Sequence, residues 1–483
     1  MTKPLTIVWF RQDLRIADQP ALRRAVDRGG VIPVYIWAPE EEGDWPLGGA
    51  SRWWLHHSLA SLDEQLRERG SRLIIRRGPT QAMLDGLLEE TGATAVYWNR
   101  RYEPAAIERD KQVKATLLSR GVPAESFNGS LLHEPWTVVT KQGGPYQVFT
   151  PFWKACLTAD VRHETLPTPR EVTSPAKWPK SLSLDELELL PSIPWDAGFY
   201  NAWNVGAPAA ERRLQQFISE AIARYHEDRD RADVDGSSLL SPHLHFGELS
   251  PRQVWTAVEK ELAKSQALKS KSGKGAEVFL KEVGWREFAH HLLYHFPQTP
   301  TEPLREQFRH FPWRRSQQDL RAWQRGQTGF PIVDAAMRHL WVTGYMPNRM
   351  RMVVASFLTK DLRLPWQRGA EWFWETLVDA DLANNTLGWQ WTAGCGADAA
   401  PYFRVFNPTM QAEKADPDGE YIRRWVPELA KLPTKRLREP WTATAEELAA
   451  AGVQLGMNYP PPIVDHHEAR DAALAAYEKI RAS

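Results

Sequence analysis

The sequence predicts an α/β N-terminal domain on a parallel, Rossmann-like sheet, followed by an all-helical C-terminal domain. Three observations predict it. Short apolar runs alternate with amphipathic stretches through the first 130 residues, and apolar residues recur at three-to-four spacing from about residue 208 onward. Between the two regimes lies a stretch rich in Pro, Ser and acidic residues. The 483 residues suffice for two to four domains.

Taken in order, residues 6–10, 31–37, 73–76 and 95–98 read as short buried strands, with 52–69 and 80–91 as helices between them. Parallel sheets bind ligands beyond the carboxyl ends of their strands. No G-x-G-x-x-G follows any of these strands, which excludes a dinucleotide held in the Rossmann manner. The N-terminal domain is expected over 1–130 and a surface connector over 131–205, with a short helix near 184–190. The helical domain then runs over 206–483, with helices at 209–229, 251–263, 277–294, 319–324, 332–343, 348–359 and 368–378. Residues 264–275 (KSQALKSKSGKG) form a small basic loop, which is more simply a solvated linker than a nucleic-acid contact.

Composition removes several function classes. Lys+Arg and Asp+Glu both number 60, so bulk charge does not coat a polyanion, although a local basic patch is allowed. A hydrophobic content of 42% with 25% charged residues excludes a disordered chain. The two cysteines, Cys156 and Cys395, exclude a disulfide scaffold and suit a reducing compartment. No apolar run approaches the roughly 20 residues of a membrane span, and a strand starts near the N-terminus without a leader before it; a cytoplasmic protein is expected. The unusual number is 23 tryptophans, nine of them between Trp285 and Trp391.

Three constellations offer chemistry. Gly236-Ser237-Ser238-Leu239-Leu240-Ser241 clusters hydroxyls and backbone N–H groups, equipment for phosphate that also suits a helix cap. Glu282, Trp285 and Arg286 share one helix face, and Asn348, Arg351 and Met352 share another. A carboxylate, indoles, an amide and a thioether around one hollow suit a planar, uncharged group such as a base pair. In Asp379-Ala380-Asp381-Leu382-Ala383-Asn384-Asn385, two acids in an apolar helical region need partners, and Arg351 is the expected partner of Asp379. His243 with His245, and His291 with His295, have metal-compatible spacing but no third ligand, so no metal site is assigned. There is no G-x-S-x-G, P-loop or H-E-x-x-H to support a hydrolase or NTPase. Most tryptophans, including Trp37, Trp98, Trp255, Trp372 and Trp374, are read as core.

Several motifs, spread in order over nearly the whole chain, resemble the photolyase/cryptochrome family. They are Trp9-Phe10-Arg11-Gln12-Asp13-Leu14-Arg15, Phe149-Thr150-Pro151-Phe152-Trp153, Ser237 to Ser241 with His245-Phe246-Gly247-Glu248-Leu249-Ser250-Pro251, Thr328-Gly329-Phe330-Pro331, Trp389-Gln390-Trp391 and Ala400-Pro401-Tyr402-Phe403-Arg404. The resemblance implies an antenna domain at the N-terminus and a helical FAD-binding domain, in which light excites reduced flavin to donate an electron to a pyrimidine dimer flipped out of UV-damaged DNA. By the same resemblance, Tyr225, Ser237, Ser238, Leu240 and Ser241 hold the FAD phosphates and ribityl chain, and Phe279 lies near the adenine. Arg286, Arg351, Asp379 and Asp381 surround the ring systems, and Asn385 faces flavin N5. Glu282, Trp285, Asn348, Met352 and Trp391 line the dimer pocket, and Arg349 and Arg404 contact DNA phosphates. Residues 282–363 carry 12 Lys/Arg against 7 Asp/Glu, a local basic rim in a neutral chain.

Subtype follows from residue chemistry within the resemblance. The (6-4) branch uses two histidines in the segment aligned with Asn348 to Met352, both of which are non-basic here. Plant-type cryptochromes place Asp where Asn385 stands, and the chain ends soon after the helical domain without a long tail. The resemblance therefore implies repair of cyclobutane pyrimidine dimers by a monomer, with a blue-light photoreceptor signalling through a protein partner as the alternative. Leu239, Phe279, Pro347 and Ala106 depart from common family residues. Ala106 stands where folate-binding relatives have Glu, and the pattern is similar to class III photolyases, with methenyltetrahydrofolate as the expected antenna. Trp389 and Trp366 match the first two members of the family's electron-transfer row. Pro303 is aligned with the third, which leaves Trp341, beside the Gly344 turn, as the expected exit.

Overall fold

The computed structural model describes residues 4–159, 164–267, 272–402 and 404–481. Five parallel strands, β1 (Leu5–Phe10), β2 (Gly30–Trp37), β3 (Ile74–Arg77), β4 (Val96–Asn99) and β5 (Ala124–Phe127), form one sheet in the order β3-β2-β1-β4-β5. Both faces of the sheet are covered, and the period of two shows in the packing. Val8 and Phe10 join Trp53, Trp54 and Leu59 of helix Gly49–Arg67, whereas Ile7 and Trp9 join Leu84, Leu87 and Val113 on the opposite face. This double burial explains why β1 and β2 are apolar almost throughout. β5 is the strand that sequence patterning misses: its Ala-Glu-Ser-Phe has only Ala124 fully buried.

Residues 131–205 are less of a surface connector than expected. Helix Phe149–Thr158 buries Phe149, Phe152, Trp153 and Cys156 against the helical domain. Further on, Val172 N–H donates to Arg69 O (3.0 Å) and Leu182 N–H to Ile75 O (3.0 Å), which lays this stretch along the sheet. The helix expected near 184–190 is a single 3-10 turn, Asp185–Leu187.

The helical domain is organised on helix Ser272–His295, which packs against Pro251–Ala267, Phe149–Thr158 and Leu382–Ala393. Leu382–Ala393 packs in turn on Asn348–Ser356 and Trp366–Thr376. Two expected helices differ. The stretch 209–229 breaks into Ala207–Glu220, a 3-10 turn Ile222–Arg224 and a short helix Tyr225–Asp228. Its periodicity is overridden where Gly275 of the long helix arrives so close that a Cβ there would lie 1.9 Å from Ile222 O. The stretch 348–359 ends in a π-helical turn, Phe357–Asp361, which turns Lys360 toward Arg404 O (2.7 Å) and Asp361 toward His466 Nδ1 (2.5 Å). Residues 268–271 of the basic loop, and Phe403, lie outside the described residues. No described helix is long and apolar enough to cross a membrane.

The segment that follows β1 locks the two domains together. Leu14 N–H donates to Phe246 O (3.0 Å), Arg15 Nη1 to Gly247 O (2.9 Å), and Ser250 Oγ to Asp18 Oδ2 (2.5 Å). Gly247 has φ +65°, and a Cβ on it would lie 2.3 Å from Gln12 O. Gly247→Ala therefore combines left-handed strain with a backbone clash and should destabilise the chain by about 3 kcal/mol or more. Thermal unfolding followed by circular dichroism checks this; an unchanged midpoint would show that the join is not tight.

Candidate functional site

The Gly236 to Ser241 loop is held by its backbone, with Ser237 and Ser238 half-buried and Ser241 exposed. Arg213 donates to Ser237 O (2.8 Å) and Ser238 O (2.9 Å), and Leu239 takes φ +54° so that the chain can turn into helix Ser241–His245. Ser238 Oγ accepts from Leu240 N–H (3.3 Å), and Ser237 Oγ lies 3.2 Å from the Tyr345 hydroxyl. Tyr225 and Phe279 meet edge to face at 5.4 Å behind the loop.

The two acids have found their partners. Asp379 receives Arg351 Nη2 on both oxygens (3.0 and 2.7 Å) and Ser241 Oγ (2.5 Å). The pairing expected from sequence is therefore the observed one. Asp381 caps helix Leu382–Ala393 by accepting Asn384 N–H (2.8 Å), with His245 Nδ1 at 3.3 Å and His290 Nε2 at 3.6 Å. Against the cost of burial, His290, His245 and Arg286 hold the Asp381 carboxyl far below the ordinary range. Arg286 donates to Ser130 O (2.8 Å), so it serves the end of the N-terminal domain as well as the acid. One helical turn beyond the cap, Asn385 Nδ2 donates to Ala370 O (3.0 Å), leaving Oδ1 as the atom it can present to a ligand.

Trp285 lies flat on Phe149, ring centroids 3.9 Å apart at 9°, a ledge ready for another planar ring. Gly284, one residue before, lets the helix come within a Cβ distance of 2.5 Å of the Trp153 ring. Glu282, one turn earlier, is ion-paired to Arg229, and burial lifts its carboxyl above the usual range even so. Asn348 is exposed, and Met352 and Trp391 are half-buried on the adjacent helices. Arg349 pairs with Asp230 (2.5 Å), and Arg404 is exposed, its carbonyl accepting from Lys360.

Trp389 is buried against Phe373 (5.0 Å) and Trp323 (6.1 Å), and a Cβ on Gly369 would meet its ring at 2.0 Å. Trp366 is buried at the wall of a surface cleft of about 460 Å³ lined also by Pro303, Phe308, Arg309, Trp313 and Gln367. This corrects the sequence argument about Pro303: Trp366 is not left without an indole neighbour in the cleft, because Trp313 shares it. Trp341 is 48% exposed at the end of helix Pro331–Thr343, where Gly344 (φ +69°) caps it, and stacks on Trp372 at 6.0 Å.

A second hollow opens at the carboxyl ends of β1 and β2. It is lined by Trp9, Gln12, Tyr35, Trp37, Glu42, Arg101, Arg109 and Phe246 and holds about 40 Å³. Against burial, Arg101 and Arg109 hold Glu42 down at about 2. Among the described residues, no group of three or more His, Cys, Asp or Glu could hold a metal ion.

Sequence reasoning missed Arg229 and Asp230 on the rim, Tyr345 and Arg213 around the serine loop, and His245 and His290 on Asp381. His245 is read from sequence only as a candidate metal ligand and motif residue, and His290 not at all; their signal is the unmatched acid Asp381. Glu287, beside Arg286, is another: its Oε2 accepts Leu132 and His133 N–H (2.9 and 3.0 Å), and burial pushes its carboxyl up to about 7. The folded chain holds this proton more tightly than the unfolded chain, so the contribution is complete below about pH 4.5 and is lost as pH rises through 7. Between pH 5 and pH 8 wild type should lose on the order of 3 kcal/mol more than Glu287→Gln. Thermal midpoints of both proteins across that range check it; parallel pH profiles would refute it.

Comparisons with known proteins cover the same ground. The DNA photolyase domain matches residues 6–171, and the FAD binding domain of DNA photolyase matches residues 279–479. A deoxyribodipyrimidine photo-lyase of Agrobacterium fabrum is 49% identical over 477 residues, 98% of each chain. Cryptochrome-2 of Arabidopsis thaliana is 42% identical over 99% of this chain and 79% of its own length. The crystal structure of a bacterial class III photolyase from Agrobacterium tumefaciens superposes with a TM-score of 0.95 at 48% identity, covering 100% of this chain and 98% of that one.

Proposed function

The chain belongs to the DNA photolyase/cryptochrome family, and from that premise we propose that it is a deoxyribodipyrimidine photo-lyase of class III type. On this reading it splits cyclobutane pyrimidine dimers in UV-damaged DNA under blue light, with FAD as cofactor. The observation that carries the reading is the ledge of Trp285 on Phe149 with the Glu282 carboxyl one turn away; Asn348 and Met352, where the (6-4) branch has histidines, are neutral.

The residues present fit FAD. Ser237, Ser238 and Ser241 offer hydroxyls, and Tyr225 its phenol, to phosphate and ribityl oxygens, and Phe279 offers a ring edge to the adenine side. Arg351 with Asp379, Arg286 and Asp381 supply both donors and acceptors for the polar edges of the rings, and Asn385 Oδ1 is available to N5. When bound, FAD supplies light absorption and the transferable electron. The chain contributes binding, water exclusion and stabilisation of charge. Trp285 stacks on the flipped dimer. Glu282 hydrogen-bonds its carbonyl or N–H groups and stabilises the negative charge that arises once the dimer accepts an electron. Arg349 and Arg404 take the flanking phosphates.

The hollow at the ends of β1 and β2 is narrow, about 40 Å³, and no antenna is assigned to it.

Purified protein carrying FAD, incubated with a thymine-dimer oligonucleotide, should restore undamaged thymines in blue light and not in darkness. Absence of repair in light would overturn the reading in favour of a photoreceptor. Within the pocket, Trp285→Ala should weaken binding of dimer-containing DNA by about 1–3 kcal/mol. Glu282→Ala should lower repair quantum yield more than affinity, and the reverse order would contradict its assigned role. For electron supply from an external thiol, Trp366→Phe should nearly abolish photoreduction. Trp313→Phe should slow it more than Trp341→Phe, since Trp313 shares the Trp366 cleft; the opposite ranking would make Trp341 the exit.

A further inference from the structure

The segment Arg11 to Arg15 joins the domains through its backbone and its arginines, which leaves the Gln12 side chain unexplained. Gln12 lines the hollow at the end of β1, and its Nε2 lies 3.3 Å from His245 Nε2. The other nitrogen of that ring, Nδ1, lies 3.3 Å from Asp381 Oδ2. An ionised carboxylate only accepts, so His245 Nδ1 carries a hydrogen. Nε2 then faces an amide N–H and must offer its lone pair, which makes the ring neutral. With the amide turned over, Gln12 Oε1 would face Nε2, and the ring would need a second proton. The orientation of one amide thus decides whether a neutral ring or a cation sits beside Asp381. The other groups on Asp381 are Arg286, a cation, and His290, at 3.6 Å, whose ring burial pushes toward the neutral form; both come from helix Ser272–His295. The backbone of Gln12 has no room to shift, because Gly247 is packed against its carbonyl.

We propose that Gln12 is a positioning residue for the FAD site: by donating to His245 Nε2 it keeps that imidazole neutral, with Nδ1–H on Asp381, and so sets the net charge beside the cofactor. The proposal rests on FAD binding at Asp381, and it makes the N-terminal hollow and the FAD site neighbours separated by one glutamine and one histidine.

The test is 15N NMR of histidine-labelled protein at neutral pH, with and without FAD, and with His245→Asn used to assign the ring. Wild type should show the neutral Nδ1–H tautomer. Gln12→Glu should show the imidazolium, and Gln12→Leu a larger imidazolium fraction than wild type. In the FAD-loaded proteins the midpoint potential should move positive in Gln12→Leu with its imidazolium fraction, whereas in Gln12→Glu the new carboxylate offsets the ring's charge. An imidazolium in wild type, or a neutral ring in Gln12→Glu, would overturn the proposal; so would a Gln12→Leu ring that becomes charged with no change in potential. Because the ring is also read without FAD, failure of the protein to bind FAD sinks the functional reading and leaves the tautomer result standing. If Gln12→Glu does not fold, the wild-type and Gln12→Leu spectra decide.

Discussion

Two carboxylates two residues apart, Asp379 and Asp381, cannot be buried side by side unless each finds its own compensation. The arrangement of the helical domain follows from meeting that need. Asp379 draws in Arg351 and Ser241, and Asp381 draws in His245, His290 and the N-terminus of helix Leu382–Ala393. Four separate stretches of chain converge on these acids: the serine loop, the long helix, the helix with Arg351 and the helix with Asn385. The result is a cluster of polar groups around the two acids, with Trp285 stacked on Phe149 along the same long helix that carries His290.

The same construction separates tasks in space. Trp285 and Glu282 share the long helix with His290 but point toward Phe149 and Arg229. Trp389 lies on the helix that Asp381 caps and faces away toward Phe373 and Trp323. One packed pair of helices thus carries Trp285 and Glu282, the Asp381 cap and Trp389. The rim arginines are engaged by acids, Arg229 with Glu282 and Arg349 with Asp230. The Arg349 pair is partly exposed, so it holds that side chain only weakly.

Much of this was legible in the sequence where a single local rule decides. β1 to β4 follow from apolar runs, and helix Pro331–Thr343 from its spacing and its Gly344 cap. The Asp379–Arg351 pair followed from the need of a buried acid for a cation. β5 was not legible because it is covered on little more than one residue, and the break after Glu220 was not because its cause, Gly275, lies more than 50 residues away. The same distance hid Arg229 on Glu282 and Tyr345 on Ser237. Position in the indole row is read from alignment alone, which does not reveal that Trp313 lines the same cleft as Trp366.

The central claim is that the paired acids organise the cofactor basin. The most direct measurement is calorimetric titration of FAD into the cofactor-free protein, comparing wild type with Asp379→Asn. The account predicts that Asp379→Asn, with the fold intact by circular dichroism, binds FAD at least about tenfold more weakly, because Arg351 loses its partner and turns from the ring edge. FAD affinity unchanged in a folded Asp379→Asn protein would contradict it.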